Sequence, residues 1–320
     1  MFKKISYYLP KLGQSWLIAI IFIFAGQILA GVLIAPLLLL FPEFKDWGQL
    51  LMYGLAFVPV AIYVRYMIKN RWQDGAVAIY KDSKERYSAE TITPPTTVKE
   101  VMQIVPDGDI EASLPSIPFN KPNFGKLGAL LTFTLLIPLT LSLSIIVEPI
   151  MNWWEMPDFL KQVFEDLLSG NMILTFVNVA IMAALLEEWM CRGLIMRGLL
   201  YHIGPAKAIL WSAFIFGIMH LNPWQFVPAF FMGILLGWVY WRTRSIWAAI
   251  FIHFINNGTS VLLTVLYPNF SADSSLRDMI PGKEYYIVYI AAIVTFCAII
   301  TLMHKKYDNF IIPDKIPADI

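Results

Sequence analysis

The feature that most constrains this chain is the recurrence of apolar stretches near 20 residues long, each able to cross about 30 Å of hydrocarbon as a helix. About eight such stretches appear, near 15–41, 48–68, 127–150, 171–191, 207–222, 225–241, 246–267 and 285–303. A length of 320 residues would ordinarily suggest two soluble domains of roughly 150 residues each. Composition overrides that expectation. Hydrophobic residues make up 58% of the chain and charged ones 15%, with a mean hydropathy of +0.62. Ordinary globular proteins hold about 25% charged residues. A soluble single-core protein and a disordered chain are both excluded. The expected fold class is all-α, a multispanning membrane helical bundle of about eight transmembrane helices.

The charges orient the bundle. The first span follows Lys3, Lys4 and Lys11 and exceeds the roughly 7–15-residue core of a signal peptide, so it reads as a retained anchor. With the amino terminus in the cytoplasm, every Lys and Arg except Lys45, Lys161, Arg277 and Lys283 falls on the inner side. That asymmetry is what the positive-inside rule expects, and it puts the carboxy terminus in the cytoplasm too. The expected location is an integral multi-pass protein of a bacterial inner membrane, with the lipid bilayer as its constant partner. A net charge of +1 gives no support for a nucleic-acid partner. Cys191 and Cys297 both lie in apolar stretches, so no disulfide framework or cysteine-rich metal site is expected.

The chain divides into two amino-terminal spans over 1–69, a polar insertion over 70–126, a third span with an outer segment over 127–170, a four-span core over 171–267, and a last span with its tail over 268–320. The insertion carries Pro94, Pro95, Pro106, Pro115, Pro118 and Pro122. Proline breaks helices and cannot donate to a ladder, so mostly irregular structure is expected there, with a short strand near Val77–Tyr80. Residues 151–170 mix Trp153, Trp154, Phe159 and Phe164 with Glu155, Asp158, Glu165 and Asp166, which suits an amphipathic segment on the outer interface.

Ionisable residues inside spans are costly, about 2.5–3.5 kcal/mol each at the bilayer centre, and therefore informative. Between Asp166 and Asp273 the only acidic residues are Glu187 and Glu188. Glu188 and Arg192 stand four apart on one helical face, where a local ion pair is the plain structural reading. Glu187 points about a quarter-turn away, and a buried carboxylate without a cationic partner suits a general base. His220 lies in the fifth span and His253 in the seventh, where Asn257 follows four residues later on the same face. Asn257 equally suits packing glue between helices, and Gly233 with Gly237 reads as a packing pair. His202 and His304, at span ends, read as interfacial. The fourth span, continuing to about residue 200, meets the fifth at the helix-breaking Ile203-Gly204-Pro205 turn. Counted from that turn, Glu187 and His220 reach nearly the same depth, and His253 falls near mid-membrane.

Three patterns occur in order: EExxxR from Glu187 to Arg192, FxxxH from Phe216 to His220, and HxxxN from His253 to Asn257. Together they resemble the motifs of the CPBP family, the CAAX-protease and bacteriocin-processing intramembrane endopeptidases related to Rce1. The resemblance covers about residues 171–267. It implies hydrolysis of peptide bonds in a membrane-associated or lipidated peptide or protein substrate. It also implies roles. Glu187 and His220 would activate the attacking water, His253 and Asn257 would hold the oxyanion, and Glu188 with Arg192 would support the site. The water-activating pair needs no cofactor. Glu187, His220 and His253 also make a respectable ligand set for a divalent metal such as zinc, with an open fourth position. Two other classes stay open: a proton- or ion-coupled transporter using the same buried groups as a relay, and a non-proteolytic member of the same fold, of the bacteriocin-immunity type. No internal repeat of the kind transporters show is visible.

Overall fold

The computed structural model describes residues 4–87, 114–151, 155–168, 170–267 and 275–307, with residues 73–87 and 168 described by their backbone only. Within them every regular element is helical. The chain runs through α1 (Leu12–Leu40), α2 (Lys45–Ala56), α3 (Val58–Tyr87), α4 (Gly128–Met151), α5 (Asp158–Leu168), α6 (Met172–Ile203), α7 (Pro205–Ile218), α8 (Pro223–Thr243), α9 (Ile246–Leu266) and α10 (Lys283–Lys306). Among the described residues, 7 segments are long and apolar enough to cross a membrane. They are α1, the α2–α3 pair over Pro42–Trp72, the segment Gly125–Met151 that contains α4, and α6, α8, α9 and α10. The protein is an integral multi-pass membrane protein.

Its surface has the polarity such a protein needs. Leu39, Leu130, Ile173 and Ile287 point outward, while Ser15, Thr140, Asn178, Glu188, Arg192 and His253 are buried. In water that arrangement would be inverted. In lipid it keeps polar groups on polar partners.

Two expectations need correction. The region from residue 70 onward is not irregular at its start, and Val77–Tyr80 form no strand: α3 continues as one helix to Tyr87. The first proline of the insertion is Pro94, so nothing in the sequence stops the helix earlier. Most of the remaining insertion, 88–113, lies outside the described residues, as do Trp153 and Trp154. The fifth span is also shorter than expected. α7 has 14 residues, about 21 Å at 1.5 Å per residue, and ends at Ile218 rather than 222. A helix of that length starting at one face of a 30 Å core stops short of the other.

The core is built around α6. It runs unbroken for 32 residues, as the continuation to about residue 200 anticipates. It turns at Gly204, whose φ of +79° is the left-handed region glycine tolerates, and Pro205 then opens α7. α7 and α8 form a tight hairpin, and α9 packs against α8, α4 and α6. α2 lies against the first third of α6, over Met172–Met182. At the other end, residues 114–124 strap across the helix ends: the Asn123 amide donates to the Thr243 carbonyl at 2.7 Å, and the Ile246 amide to Asn120 Oδ1 at 2.9 Å. Tyr307, just past α10, donates to Thr132 Oγ1 at 2.8 Å, and burial pushes its phenol up, so it keeps its hydrogen.

Candidate active site

The backbone of α6 departs from α-geometry on both sides of its charged turn. Val177–Met182 and Trp189–Met196 are π-helical, with Ala183–Glu188 as ordinary helix between them. π-helical turns are rare and concentrate at functional sites. Here they bracket the two adjacent glutamates.

The glutamates have unlike surroundings. Glu188 is wholly buried, and its Oε1 receives both Arg192 Nη1 and His253 Nδ1, each at 2.9 Å. Arg192 turns its Nη2 to the Gly233 carbonyl at 2.9 Å and lies over the Phe216 ring at 4.7 Å. The expected Glu188–Arg192 ion pair is therefore present. Gly233 allows it: a Cβ there would stand 2.9 Å from Ala213 Cα, so only glycine lets α8 come this close to α7. Gly237 likewise packs closely, against Ile209 and Met196.

Among the described residues no lysine or arginine is bonded to Glu187. Its Oε1 accepts a hydrogen bond from the Tyr53 hydroxyl of α2. Its Oε2 faces His253 Nε2 at 3.9 Å, beyond direct hydrogen-bond reach. A carboxylate only accepts, so His253 Nδ1 carries the hydrogen toward Glu188. It is thus His253, and not His220, that approaches Glu187.

His220 sits in the turn after α7, where Leu221 has a φ of 58° and Asn222 caps α8. Asn222 donates to the His220 carbonyl at 2.9 Å and accepts from the Gln225 amide at 2.8 Å. His220 Nδ1 meets the Phe216 carbonyl at 2.9 Å. A carbonyl cannot donate, so the hydrogen is on Nδ1 and the neutral ring offers a lone pair at Nε2. Phe216 links the two imidazoles, edge-on to His220 at 5.2 Å and to His253 at 5.6 Å.

Asn257 is engaged on α6. Its Nδ2 donates to the Val179 carbonyl at 2.9 Å, within the first π-helical stretch. Its Oδ1 accepts from Asn256 Nδ2 at 3.0 Å, and Asn256 Oδ1 accepts from Ser144 of α4 at 3.0 Å. This polar chain ties three helices together, and one Nδ2 hydrogen of Asn257 stays available. Among the described residues no three His, Cys, Asp or Glu side chains gather as a metal-binding group, so Glu187, His220 and His253 do not form a ligand triad here.

Of the residues singled out in the sequence, Glu187, Glu188, Arg192 and His253 are one contacting cluster. His220 joins it through Phe216, and Asn257 lies further along α9. Tyr53 was not legible beforehand. Its partner is 134 positions away, and the only hint was a phenol placed in an apolar span.

Residues 169–259 match the family model described as "Type II CAAX prenyl endopeptidase Rce1-like". That is the resemblance carried by the three motifs, and it takes in less than a third of the chain. None of the curated proteins and none of the solved structures matches the chain.

Proposed function

We propose that the protein is an intramembrane endopeptidase that hydrolyses a peptide bond in a membrane-associated, CAAX-type substrate. The observation that carries this reading is the contrast between neighbouring carboxylates. Glu188 is neutralised by Arg192, whereas Glu187 is oriented by a neutral phenol and faces an imidazole across 3.9 Å. One carboxylate holds the site together; the other is left able to take a proton.

The reaction follows from the roles the site offers. Glu187, with His220 Nε2 as the second acceptor, removes a proton from water as its oxygen attacks the scissile carbonyl. The oxyanion is met by the remaining Nδ2 hydrogen of Asn257, on the helix whose His253 is held at Nδ1 by Glu188. The C–N bond then breaks, the proton passes to the leaving amine, and the acyl half leaves as a carboxylic acid. No residue of the site needs to form a covalent bond to substrate.

An apolar groove of about 230 Å³ supports the substrate class. It lies between α4, α6 and α9, lined by Phe133, Ala184, Ile250 and Phe254 among others. Ala184 is one helical turn before Glu188, and Ile250 is about one turn before His253 on α9, so the groove runs along the two helices that carry the site. The positive-inside rule favours both termini facing the cytoplasm, and the site is proposed to open to that side.

The test is hydrolysis of an internally quenched peptide with a farnesylated CAAX terminus by the purified protein in lipid nanodiscs. Wild type is expected to cleave it, and Glu187→Gln, an isosteric change, to abolish cleavage. Cleavage at the wild-type rate by Glu187→Gln would sink the proposal. Proton-coupled uptake into vesicles, lost in the same variant, would establish transport instead.

A further inference from the structure

We infer that Tyr53 is a positioning residue for Glu187, so that the amino-terminal helices complete a site whose recognised motifs all lie elsewhere in the chain. This inference rests on the hydrolytic reading above. Tyr53 is on α2, outside the matched residues 169–259. Its hydroxyl donates to Glu187 Oε1, and its ring packs on Phe57 at 5.6 Å, which in turn meets Phe22 of α1 at 4.6 Å, the two rings tilted by 44°. The phenol is therefore held from behind by an aromatic row running across α1, α2 and the turn between α2 and α3.

The same helix is seated on α6 close to the site. α2 packs against the π-helical stretch Val177–Met182, and Gly54, next to Tyr53, faces the Met182 methyl group. Movement of α2 would thus carry the phenol with it.

The chemistry explains why a phenol suits this place. A carboxylate turns easily about its last bond, and its two oxygens are equivalent until one is claimed. With Oε1 bonded to Tyr53, Oε2 is the oxygen presented to His253 and to the reacting water. A lysine or arginine would orient the carboxylate as well, but would neutralise the charge that makes it a base. Arg192 does this to Glu188. A neutral donor orients without neutralising.

The experiment uses the full-length protein in nanodiscs and the farnesylated quenched peptide, comparing wild type, Tyr53→Phe, Glu187→Gln and the double variant. Tyr53→Phe keeps the ring on Phe57 and removes only the donor. Expected is a kcat about tenfold lower, with KM within about twofold and an almost unchanged melting temperature, because the loss is felt in the transition state. A wild-type kcat for Tyr53→Phe beside an inactive Glu187→Gln would overturn the inference and leave the hydrolytic reading intact. A fully active Glu187→Gln would overturn both. Cleavage by the double variant would likewise overturn both.

Discussion

His253 meets Glu188 through Nδ1 at 2.9 Å, on the same Oε1 that Arg192 occupies. One buried oxygen thus fixes both the cation of its own helix and the imidazole of α9. Replacing Glu188 with Gln removes the counter-charge and leaves the Arg192 guanidinium in a dry interior, which costs about 3–5 kcal/mol for a broken buried pair. The melting temperature of Glu188→Gln should fall by several degrees, while Glu187→Gln should melt like wild type. The paired change Glu188→Leu with Arg192→Met should regain much of the stability without restoring cleavage. A Glu188→Gln protein as stable as wild type would contradict this division between the two carboxylates.

His220 is predicted to matter for turnover more than for folding. Its Nδ1 is held by the Phe216 carbonyl, which leaves Nε2 as a lone pair in a turn that belongs to no helix. Removing a general base or its partner slows reactions about 10²–10⁴-fold. His220→Ala should lose that much in kcat on the quenched peptide, with a melting temperature close to wild type. A loss confined to stability would assign His220 to packing.

The polar chain from Ser144 through Asn256 and Asn257 to the Val179 carbonyl should behave as one unit. Polar contacts between membrane helices couple by about 0.6 kcal/mol on average. A double-mutant cycle of Ser144→Ala and Asn256→Ala, read by unfolding, should give a coupling of that size. Asn257→Leu should cost more than either, because it strands the Val179 carbonyl and the Asn256 amide together. Independent effects would show that the chain is not a unit.

Gly233 is predicted to tolerate no side chain. A Cβ would press on Ala213 backbone at 2.9 Å and approach Arg192 Nη2 at 3.4 Å. Overpacking of this kind costs about 1–3 kcal/mol, and a valine would also push the carbonyl that Arg192 uses out of reach. Gly233→Val should lower both melting temperature and kcat, whereas Gly31→Val on α1, where a Cβ meets nothing within 4 Å, should lower neither.

Activity is expected to survive chelation. Among the described residues, Glu187, His220 and His253 do not gather as a ligand set. Incubation with EDTA, followed by metal analysis of the purified protein, should leave cleavage unchanged and less than stoichiometric zinc. Loss of cleavage restored by zinc alone would assign Glu187, His220 and His253 to a metal instead.

Much of this molecule was readable from apolar run length and residue spacing. Glu188 and Arg192 four apart gave their ion pair, the Gly204-Pro205 turn gave the junction of α6 and α7, and the Gly233–Gly237 pair gave a close helix crossing. These are local relations, and local geometry carries them. What escaped was non-local or depended on backbone irregularity. Val77–Tyr80 look like a strand in isolation, yet they continue a helix that begins at Val58 and meets no proline before Pro94. His220 was placed by counting along ideal helices, which cannot anticipate that α7 stops at Ile218. Tyr53 offered no periodicity to read, because what matters is its meeting with a residue on a helix far along the chain.

Arg197, on α6 beyond the site, ties its guanidinium to carbonyls of the amino-terminal segment, reaching Tyr8 at 3.0 Å as well as Ile5. The two ends of that contact are separated by 189 residues and more, so the earlier-made strand of chain must wait for its partner through the insertion of most of the bundle. Until α6 arrives, those carbonyls lack the guanidinium; until they arrive, Arg197 has the Ile117 carbonyl alone, at 3.5 Å, for its buried charge. The amino-terminal segment is therefore a closing latch on assembly rather than a free handle. A bulky tag fused immediately ahead of Ile5 would burden the last step of biogenesis, long after the membrane spans had been inserted.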